Sequence, residues 1–271
     1  MSTLPAFSQQ GTGDTAVLLL HGIGGGQAIW NRHASGTADA LAAAGYSAFS
    51  IDLPGYGDSA TMGPPHMASF VGAVLAVVRH AGARQTVLVG HSMGGMVAQE
   101  LVAREPSCVD GLVLACTSAA FGGSGGQDAD SWQARFVGER LAPLDAGLGM
   151  AGMARRLVPG MVSPAASAAA RQLSIDVMSR VPEPTYRASL KTIVAFDRRE
   201  ALARIRVPTL LLAAQHDRTA PPDMMQRMAR RIGSHAQYVC LPDAGHIANV
   251  EAPAAFNAAV LRFLDEHFAG T

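Results

Sequence analysis

Three residues of this 271-residue chain have the types, and occur in the order, that suit acyl-transfer chemistry. Ser92 lies in Gly90-His91-Ser92-Met93-Gly94, between an apolar run and a segment of helical character, and glycines two residues either side of a serine favour a sharp strand-to-helix turn. Asp217 and His246 each follow a later apolar run. A serine hydroxyl becomes a nucleophile when a histidine takes its proton and a carboxylate fixes the tautomer of that histidine. These residues therefore predict a catalytic triad of Ser92, Asp217 and His246.

Other carboxylates compete for the role of the acid. The loop after the apolar run that ends near residue 115 reads CTSAAFGG and offers none, so Asp217 is our predicted acid, with Asp128 and Asp130 as remote alternatives. Asp243 is expected to be a turn residue and not the acid, because aspartate favours turns. Asp52 is expected to hold its own loop and not to react.

A tetrahedral intermediate on Ser92 needs two hydrogen-bond donors for its oxyanion. The backbone N–H of Met93, directly after the nucleophile, is one predicted donor. The second is expected from the glycine-rich loop after the first apolar run, where we favour the N–H of Ile23, with Gly24 in reserve. This loop lacks the G-x-G-x-x-G spacing and the lysine of phosphate-binding loops, which argues against a nucleotide site.

Composition narrows the partners that the chain can take. Nearly half of the residues are apolar, the charged fraction is 15% and the formal net charge is zero, so neither nucleic acid nor an anionic membrane is an expected partner. No stretch is apolar for long enough to span a bilayer, and the first residues lack the basic start of a signal peptide, so we expect a cytoplasmic protein. The expected partner is a small-molecule substrate, and the expected state is a monomer or homodimer. The three cysteines, Cys108, Cys116 and Cys240, lack metal-ligand spacing and are expected to be small buried apolar residues.

Strand-like and helix-like segments alternate along the chain. The strand-like runs are at residues 16–20, 47–51, 87–90, 112–115, 209–213 and 238–241, and the helix-like segments are near residues 34–44, 67–81, 93–104, 223–232 and 252–267. Continuous apolar runs predict strands covered on both faces, and this alternation predicts an α/β fold with a doubly wound, mostly parallel sheet. Asp217 and His246 then lie at the carboxyl ends of strands, the edge at which such sheets bind ligands.

The alternation is interrupted in the middle of the chain. Between about residues 121 and 204, a Gly- and Ser-rich opening gives way to Ala- and Met-rich helical segments with several prolines, and strand-like sequence resumes afterwards. We interpret residues 121–204 as a helical cap inserted into a core domain formed by residues 1–120 and 205–271.

These motifs resemble the α/β-hydrolase superfamily along almost the whole chain, through LLLHGIGG, SIDLPGYGDS, VGHSMGG, QHDRTAPP and LPDAGHIANVEAPAAF. The segment LVLACTSAAFG and the tail GHIANVEAPAAFNAAVLRFL are similar to the 3-oxoadipate enol-lactonase group of bacterial aromatic degradation and to carboxylesterases. Only about fifteen residues precede the first apolar run, so we expect the first strand of the usual eight-stranded sheet to be short or missing, which leaves a sheet of seven or eight strands. The cap also carries the insertion LDAGLGMAGMARRL, whose methionines are expected to form either a flexible apolar lid or core packing.

The resemblance implies a cofactor-independent hydrolase without a metal that opens a small, carboxylate-bearing lactone or ester through an acyl-enzyme on Ser92. In the cap it implies that Trp132 walls the pocket and that Arg135 pairs with a substrate carboxylate, although a solvated helix arginine is the alternative for the latter. Haloalkane dehalogenases and epoxide hydrolases share the fold but use an aspartate nucleophile, which Ser92 disfavours.

Two other functions remain open at this stage. A carbon–carbon hydrolase of aromatic ring-cleavage products uses the same triad, although Ile247 stands where that group frequently has an aromatic residue after the histidine. A small-molecule receptor that keeps the triad and turns over slowly is the alternative from another functional class. Turnover with a panel of substrates discriminates among these functions.

Overall fold

A seven-stranded β-sheet organises the chain in the computed structural model, which describes residues 4–61, 63–121 and 127–268 and, for residues 127–132, the backbone alone. The strands are β1 (Phe7–Gln10), β2 (Thr15–Leu20), β3 (Ser47–Ile51), β4 (Gln85–His91), β5 (Gly111–Ala115), β6 (Thr209–Ala214) and β7 (Ala236–Leu241). Their order across the sheet is β1-β3-β2-β4-β5-β6-β7. Only β1 runs antiparallel to its neighbour, β3. The prediction of a mostly parallel sheet is confirmed, and of the two strand numbers expected, seven or eight, the described residues form a sheet of seven.

Burial of the strands follows their place in the sheet. Every residue of β2, β3, β5 and β6 is buried, which accounts for their continuous apolar sequences. β7 lies at an edge and is only half covered. Cys240 on this strand is exposed and Cys108 is half-buried, so the expectation of buried cysteines holds only for Cys116.

Helices cover both faces of the sheet. They are α1 (Thr37–Ala43), α2 (Met67–Ala81), α3 (Met93–Arg104), α4 (Gln127–Asp145), α5 (Gly149–Met161), α6 (Ala168–Ser179), α7 (Glu183–Val194), α8 (Pro222–Ile232), α9 (Ala248–Glu251) and α10 (Pro253–Phe268), with short 3₁₀ helices at Gln27–Trp30, Pro106–Cys108 and Leu202–Arg204. Alternate side chains of β2 enter two separate cores. One core contains residues of α2, α3 and α8, and the other contains residues of α1 and α10. The sheet is therefore doubly wound.

Four helices, α4 to α7, are inserted between β5 and β6. Their apolar faces join the core on the side of α2 and α3, including Met150 and Met153 of α5, which are buried. These two methionines of the insertion therefore pack in the core. No helix within the described ranges is long and apolar enough to cross a membrane.

Candidate active site

Ser92 occupies a sharp turn between β4 and α3. Its φ of 52° and ψ of −117° lie in a region that residues with side chains rarely adopt, at a typical cost of about 1–3 kcal/mol. The turn brings backbones into close approach, since a Cβ at Gly94 would lie 2.2 Å from the carbonyl oxygen of Leu20. The N–H of Ser92 donates to the carbonyl of Ala115, and the hydroxyl of Thr117 donates to the carbonyl of Ser92. The turn is thus fixed by the neighbouring strand.

A chain of hydrogen bonds joins the three predicted triad side chains. His246 Nδ1 lies 2.8 Å from Asp217 Oδ2, and His246 Nε2 lies 2.9 Å from Ser92 Oγ. Because a carboxylate can only accept, the hydrogen of the neutral ring is on Nδ1, which leaves Nε2 as an acceptor for the serine hydroxyl. The structure therefore brings together residues that are 154 and 29 positions apart in sequence.

Asp217 is buried and held as a carboxylate. Burial alone would raise its pKa, but the charge and hydrogen bond of His246 and two backbone N–H donors outweigh it, and the pKa lies below the ordinary value. The two donors are Thr219 and Ala220, whose N–H groups bind Oδ1 at 2.7 and 2.9 Å. One carboxylate oxygen is therefore anchored to the loop, and the other is free to orient His246.

The backbone of His246 is anchored as firmly as its ring. Its N–H donates to the carbonyl of Met161 at the end of α5, 2.7 Å away. Its carbonyl oxygen lies 2.7 Å from Nε2 of His91. A carbonyl only accepts, so His91 carries its hydrogen on Nε2, and burial followed by the proximity of His246 lowers the pKa of His91 to about 4. His91 is therefore a neutral structural donor.

The two predicted oxyanion donors flank the serine. In the described part of the chain, neither the N–H of Met93 nor that of Ile23 donates to a protein acceptor. Ile23 lines the cavity beside Ser92. The carbonyl of Gly22, which belongs to the same peptide unit as the N–H of Ile23, accepts from His21 Nδ1 at 2.8 Å and from the N–H of Gly25 at 3.0 Å. The position of this peptide is thereby fixed from its carbonyl side.

The cavity beside Ser92 is small and apolar. Its volume is about 40 Å³. Apart from Ser92, His246 and the glycine-rich loop, its walls come mainly from α5 and α6, through Val158, Met161, Leu173, Val177 and Met178. Ser174 also lines it, but its hydroxyl donates to the carbonyl of Ala170. The cavity therefore suits an apolar group.

The cap residues named from the sequence are not those that line this cavity. Arg135 is exposed on α4 and is not among the lining residues, and the side chain of Trp132 lies outside the described residues. The side chains of the alternative acids Asp128 and Asp130 lie outside them as well. Leu173 and Val177, four residues apart on α6, carried a helical-spacing signal that the sequence analysis did not use.

The remaining acidic candidates have structural positions. Asp52 accepts hydrogen bonds from the backbone N–H and the side-chain amide of Gln27, at 2.7 and 2.8 Å, and so ties two loops together. Asp243 lies in a turn with φ of 54°. A larger open cleft of about 1180 Å³ lies away from Ser92, between α3 and α8, and is lined by many charged side chains. Within the described ranges, no group of three or more His, Cys, Asp or Glu side chains is arranged to hold a metal ion.

Comparison with known proteins identifies the family to which the chain belongs. A family model described as alpha/beta hydrolase fold matches residues 15–253. The putative carbamate hydrolase RutD of Variovorax paradoxus is 31% identical over 257 residues, which cover 92% of this chain and 91% of that protein. The 3-oxoadipate enol-lactonase 2 of Acinetobacter baylyi is 30% identical over 219 residues, 79% of this chain and 77% of that protein.

Solved structures show the same relationship. A thermophilic esterase from Thermogutta terrifontis matches with a TM-score of 0.82 at 27% identity, covering 97% of this chain and 93% of that one. The putative non-heme bromoperoxidase BpoC of Mycobacterium tuberculosis matches with a TM-score of 0.83 at 25% identity, covering 99% and 98%. The resemblance found in the sequence is confirmed, and the chain belongs to the α/β-hydrolase fold family.

Proposed function

We propose that this protein is a serine hydrolase that cleaves a small ester or lactone through an acyl-enzyme on Ser92. The observation that carries the proposal is the unbroken path from Ser92 Oγ through both ring nitrogens of His246 to Asp217 Oδ2. Only this order of donors and acceptors lets the ring take the serine proton while the carboxylate stabilises the charge that results.

Acylation begins with attack of Ser92 Oγ on the substrate carbonyl carbon. Nε2 of His246 takes the hydroxyl proton as the bond forms, and the imidazolium is stabilised by the buried carboxylate of Asp217. The carbonyl oxygen becomes an oxyanion that the N–H groups of Ile23 and Met93 bind. Removing one such donor typically costs about 10²- to 10³-fold in rate.

Collapse of the tetrahedral intermediate breaks the bond to the leaving alkoxide, which receives the proton from His246 Nε2. For a lactone, the leaving oxygen stays attached to the acyl chain. Water then attacks the acyl-enzyme as Nε2 takes one of its protons, and a second collapse releases the carboxylic acid and returns the proton to Ser92 Oγ.

The walls of the cavity support an apolar acyl group or lactone ring. Its lining side chains from α5 and α6 carry no charge in the described residues, and the hydroxyl of Ser174 is already engaged. We propose that α4 to α7 act as the cap that selects this group. The relatives named as a 3-oxoadipate enol-lactonase and as a putative carbamate hydrolase are consistent with such a substrate, and a lactone from aromatic degradation is the one that the enol-lactonase suggests.

The test is steady-state hydrolysis of p-nitrophenyl esters from acetate to octanoate, together with small lactones and an enol-lactone. We expect turnover of at least one substrate and a loss of about 10³-fold or more in kcat for Ser92→Ala and for His246→Ala. Asp217→Asn leaves the geometry but not the charge, and its kcat should fall by about 10³- to 10⁴-fold. Circular dichroism and thermal unfolding establish that each variant is folded.

Two outcomes contradict the proposal. Near-normal rates from folded Ser92→Ala show that hydrolysis does not proceed through this serine. Absence of turnover on every ester and lactone directs the search to ring-cleavage products, as for a carbon–carbon hydrolase, and to ligand-binding screens, as for a slow receptor.

A further inference from the structure

The carboxylate of Glu251 binds three backbone N–H groups around the turn that carries His246. Glu251 is the last residue of α9, and its Oε2 accepts from Gly245 at 3.0 Å while its Oε1 accepts from Ile247 at 3.0 Å. These two donors are the residues on either side of His246. The same Oε2 also accepts from the N–H of Ser163 at 2.7 Å.

The third donor connects this turn to the wall of the cavity. Ser163 follows the end of α5, two residues after Met161, which lines the cavity beside Ser92. The N–H of His246 donates directly to the carbonyl of Met161. The contact between the two segments is so close that a Cβ at Gly245 would lie 2.5 Å from the nitrogen of Ser163. Glu251 therefore binds the histidine turn and the end of α5 together.

The three backbone N–H donors converge on a position that only a carboxylate with the length of a glutamate side chain can fill. Its two oxygens offer about four acceptor positions, and no arginine or lysine in the described part of the chain forms an ion pair with it. A glutamine at the same position has one oxygen, and its NH₂ group would face a backbone N–H whichever way the amide turned. An aspartate keeps both oxygens but is one methylene shorter.

We propose that Glu251 is a positioning residue that sets His246 and the Met161 wall of the cavity as one unit. It touches neither the substrate nor the reacting atoms. Through Gly245 and Ile247 it orients the proposed base, and through Ser163 it fixes how close the cavity wall lies to that base. Proton transfer and acyl-group selection are then set by one side chain. The inference rests on the proposed function.

The experiment compares Glu251→Gln and Glu251→Asp with wild type on p-nitrophenyl acetate and hexanoate, with rates normalised to active sites titrated by a phosphonate. We expect kcat per active site to fall about tenfold or more in Glu251→Gln, because small misplacements of a base are costly. The ratio of kcat/KM for the two esters should also change, since the wall moves with the turn. Glu266→Gln, an exposed glutamate of α10, is the control and should match wild type.

A spectroscopic measurement separates positioning from mere stability. The Nδ1–H of His246 donates a hydrogen bond to Asp217 Oδ2, and the downfield NMR signal of this proton should shift or broaden in Glu251→Gln and remain unchanged in Glu266→Gln. Folded Glu251→Gln with wild-type kcat, an unchanged ester ratio and an unchanged signal overturns the inference. If Glu251→Gln does not fold, Glu251→Asp decides the question, and wild-type behaviour in that variant overturns it equally.

The same data separate this inference from the proposed function. Full hydrolysis by Ser92→Ala refutes the serine mechanism, yet the NMR signal of His246 needs no turnover and still tests what Glu251 positions. Conversely, loss of hydrolysis in Ser92→Ala together with wild-type behaviour of both Glu251 variants leaves the serine mechanism in place and removes only the role of Glu251.

Discussion

The peptide between Gly22 and Ile23, whose N–H is a proposed oxyanion donor, is held in part by one buried side chain, that of His21. A peptide unit is planar, so holding the carbonyl of Gly22 also aims the N–H of Ile23. His21 supplies one of the two donors to that carbonyl, and its own Nε2 accepts from the N–H of Leu53 at 3.1 Å, which fixes the hydrogen on Nδ1. Donation to the carbonyl also polarises the peptide and strengthens its N–H as a donor.

Two substitutions of His21 should therefore have different effects. Asparagine places an amide nitrogen near the position of Nδ1, keeps the hydrogen bond to the Gly22 carbonyl and should keep most of kcat. Glutamine places its amide near the position of Nε2 and loses that hydrogen bond, so its kcat should fall about tenfold or more while KM changes little. The reverse holds for stability, because asparagine leaves the buried N–H of Leu53 unpaired at a cost of about 1–3 kcal/mol. Steady-state kinetics measures kcat and KM, and urea unfolding measures stability. Affinity for a boronic acid, which forms a tetrahedral adduct with a serine nucleophile, reports on the oxyanion donor directly. Wild-type kcat and boronate affinity in His21→Gln would show that His21 does not prepare the donor.

At the level of elements, α6 limits the cavity beside Ser92 in which the proposed acyl group would bind. Met178 of this helix is buried and lines the cavity, and its Cγ would lie 3.4 Å from a Cβ placed on Gly24 of the glycine-rich loop. A cavity of about 40 Å³ admits an acyl chain only when such flexible side chains move or are shortened.

Met178→Ala should accordingly widen the range of esters. We expect the ratio of kcat/KM for hexanoate over acetate to rise about tenfold, since the space vacated by the methionine side chain admits about two further methylenes, and each methylene placed in an apolar pocket contributes about 0.8 kcal/mol. Stability should fall by about 2–5 kcal/mol. Met153→Ala is the matched control, because Met153 is fully buried on α5 but does not line the cavity, so it should lose similar stability without a change in the ratio. Equal ester ratios in the two variants would contradict the assignment of Met178 to the pocket.

The elements also show which features a sequence can predict. The apolar runs of β2 and β4 to β6 are local signals, and the rule that ligands bind at the carboxyl ends of parallel strands was enough to place Ser92, Asp217 and His246 near one another. The exposure of Cys240 was missed because it depends on β7 being the edge strand. The pocket walls from α5 and α6 were missed because the face that an inserted helix presents is set by long-range docking. Local periodicity does not encode that docking.

At the scale of the whole molecule, two buried histidines near the site make the free energy of unfolding depend on pH. His91 is buried and neutral with a pKa of about 4, against about 6.5 for an exposed histidine, and burial lowers the pKa of His21 in the same direction. The unfolded chain therefore binds more protons than the folded chain between about pH 6.5 and 4. Stability rises with pH wherever the unfolded state binds more protons, so these groups destabilise the fold as the pH falls through that window.

We expect the free energy of unfolding to fall as the pH is lowered from 7 to 4.5, with His91 alone contributing about 2–3 kcal/mol of the loss. His91→Gln keeps a donor to the carbonyl of His246 but cannot titrate, so its stability should decline less over the same range by about that amount. His33 is exposed, and His33→Gln should follow the wild-type curve. Urea unfolding of the three proteins at a series of pH values makes the comparison. Parallel curves for wild type and His91→Gln would show that His91 takes up no proton on unfolding, because a group that titrates alike in both states cannot change the slope.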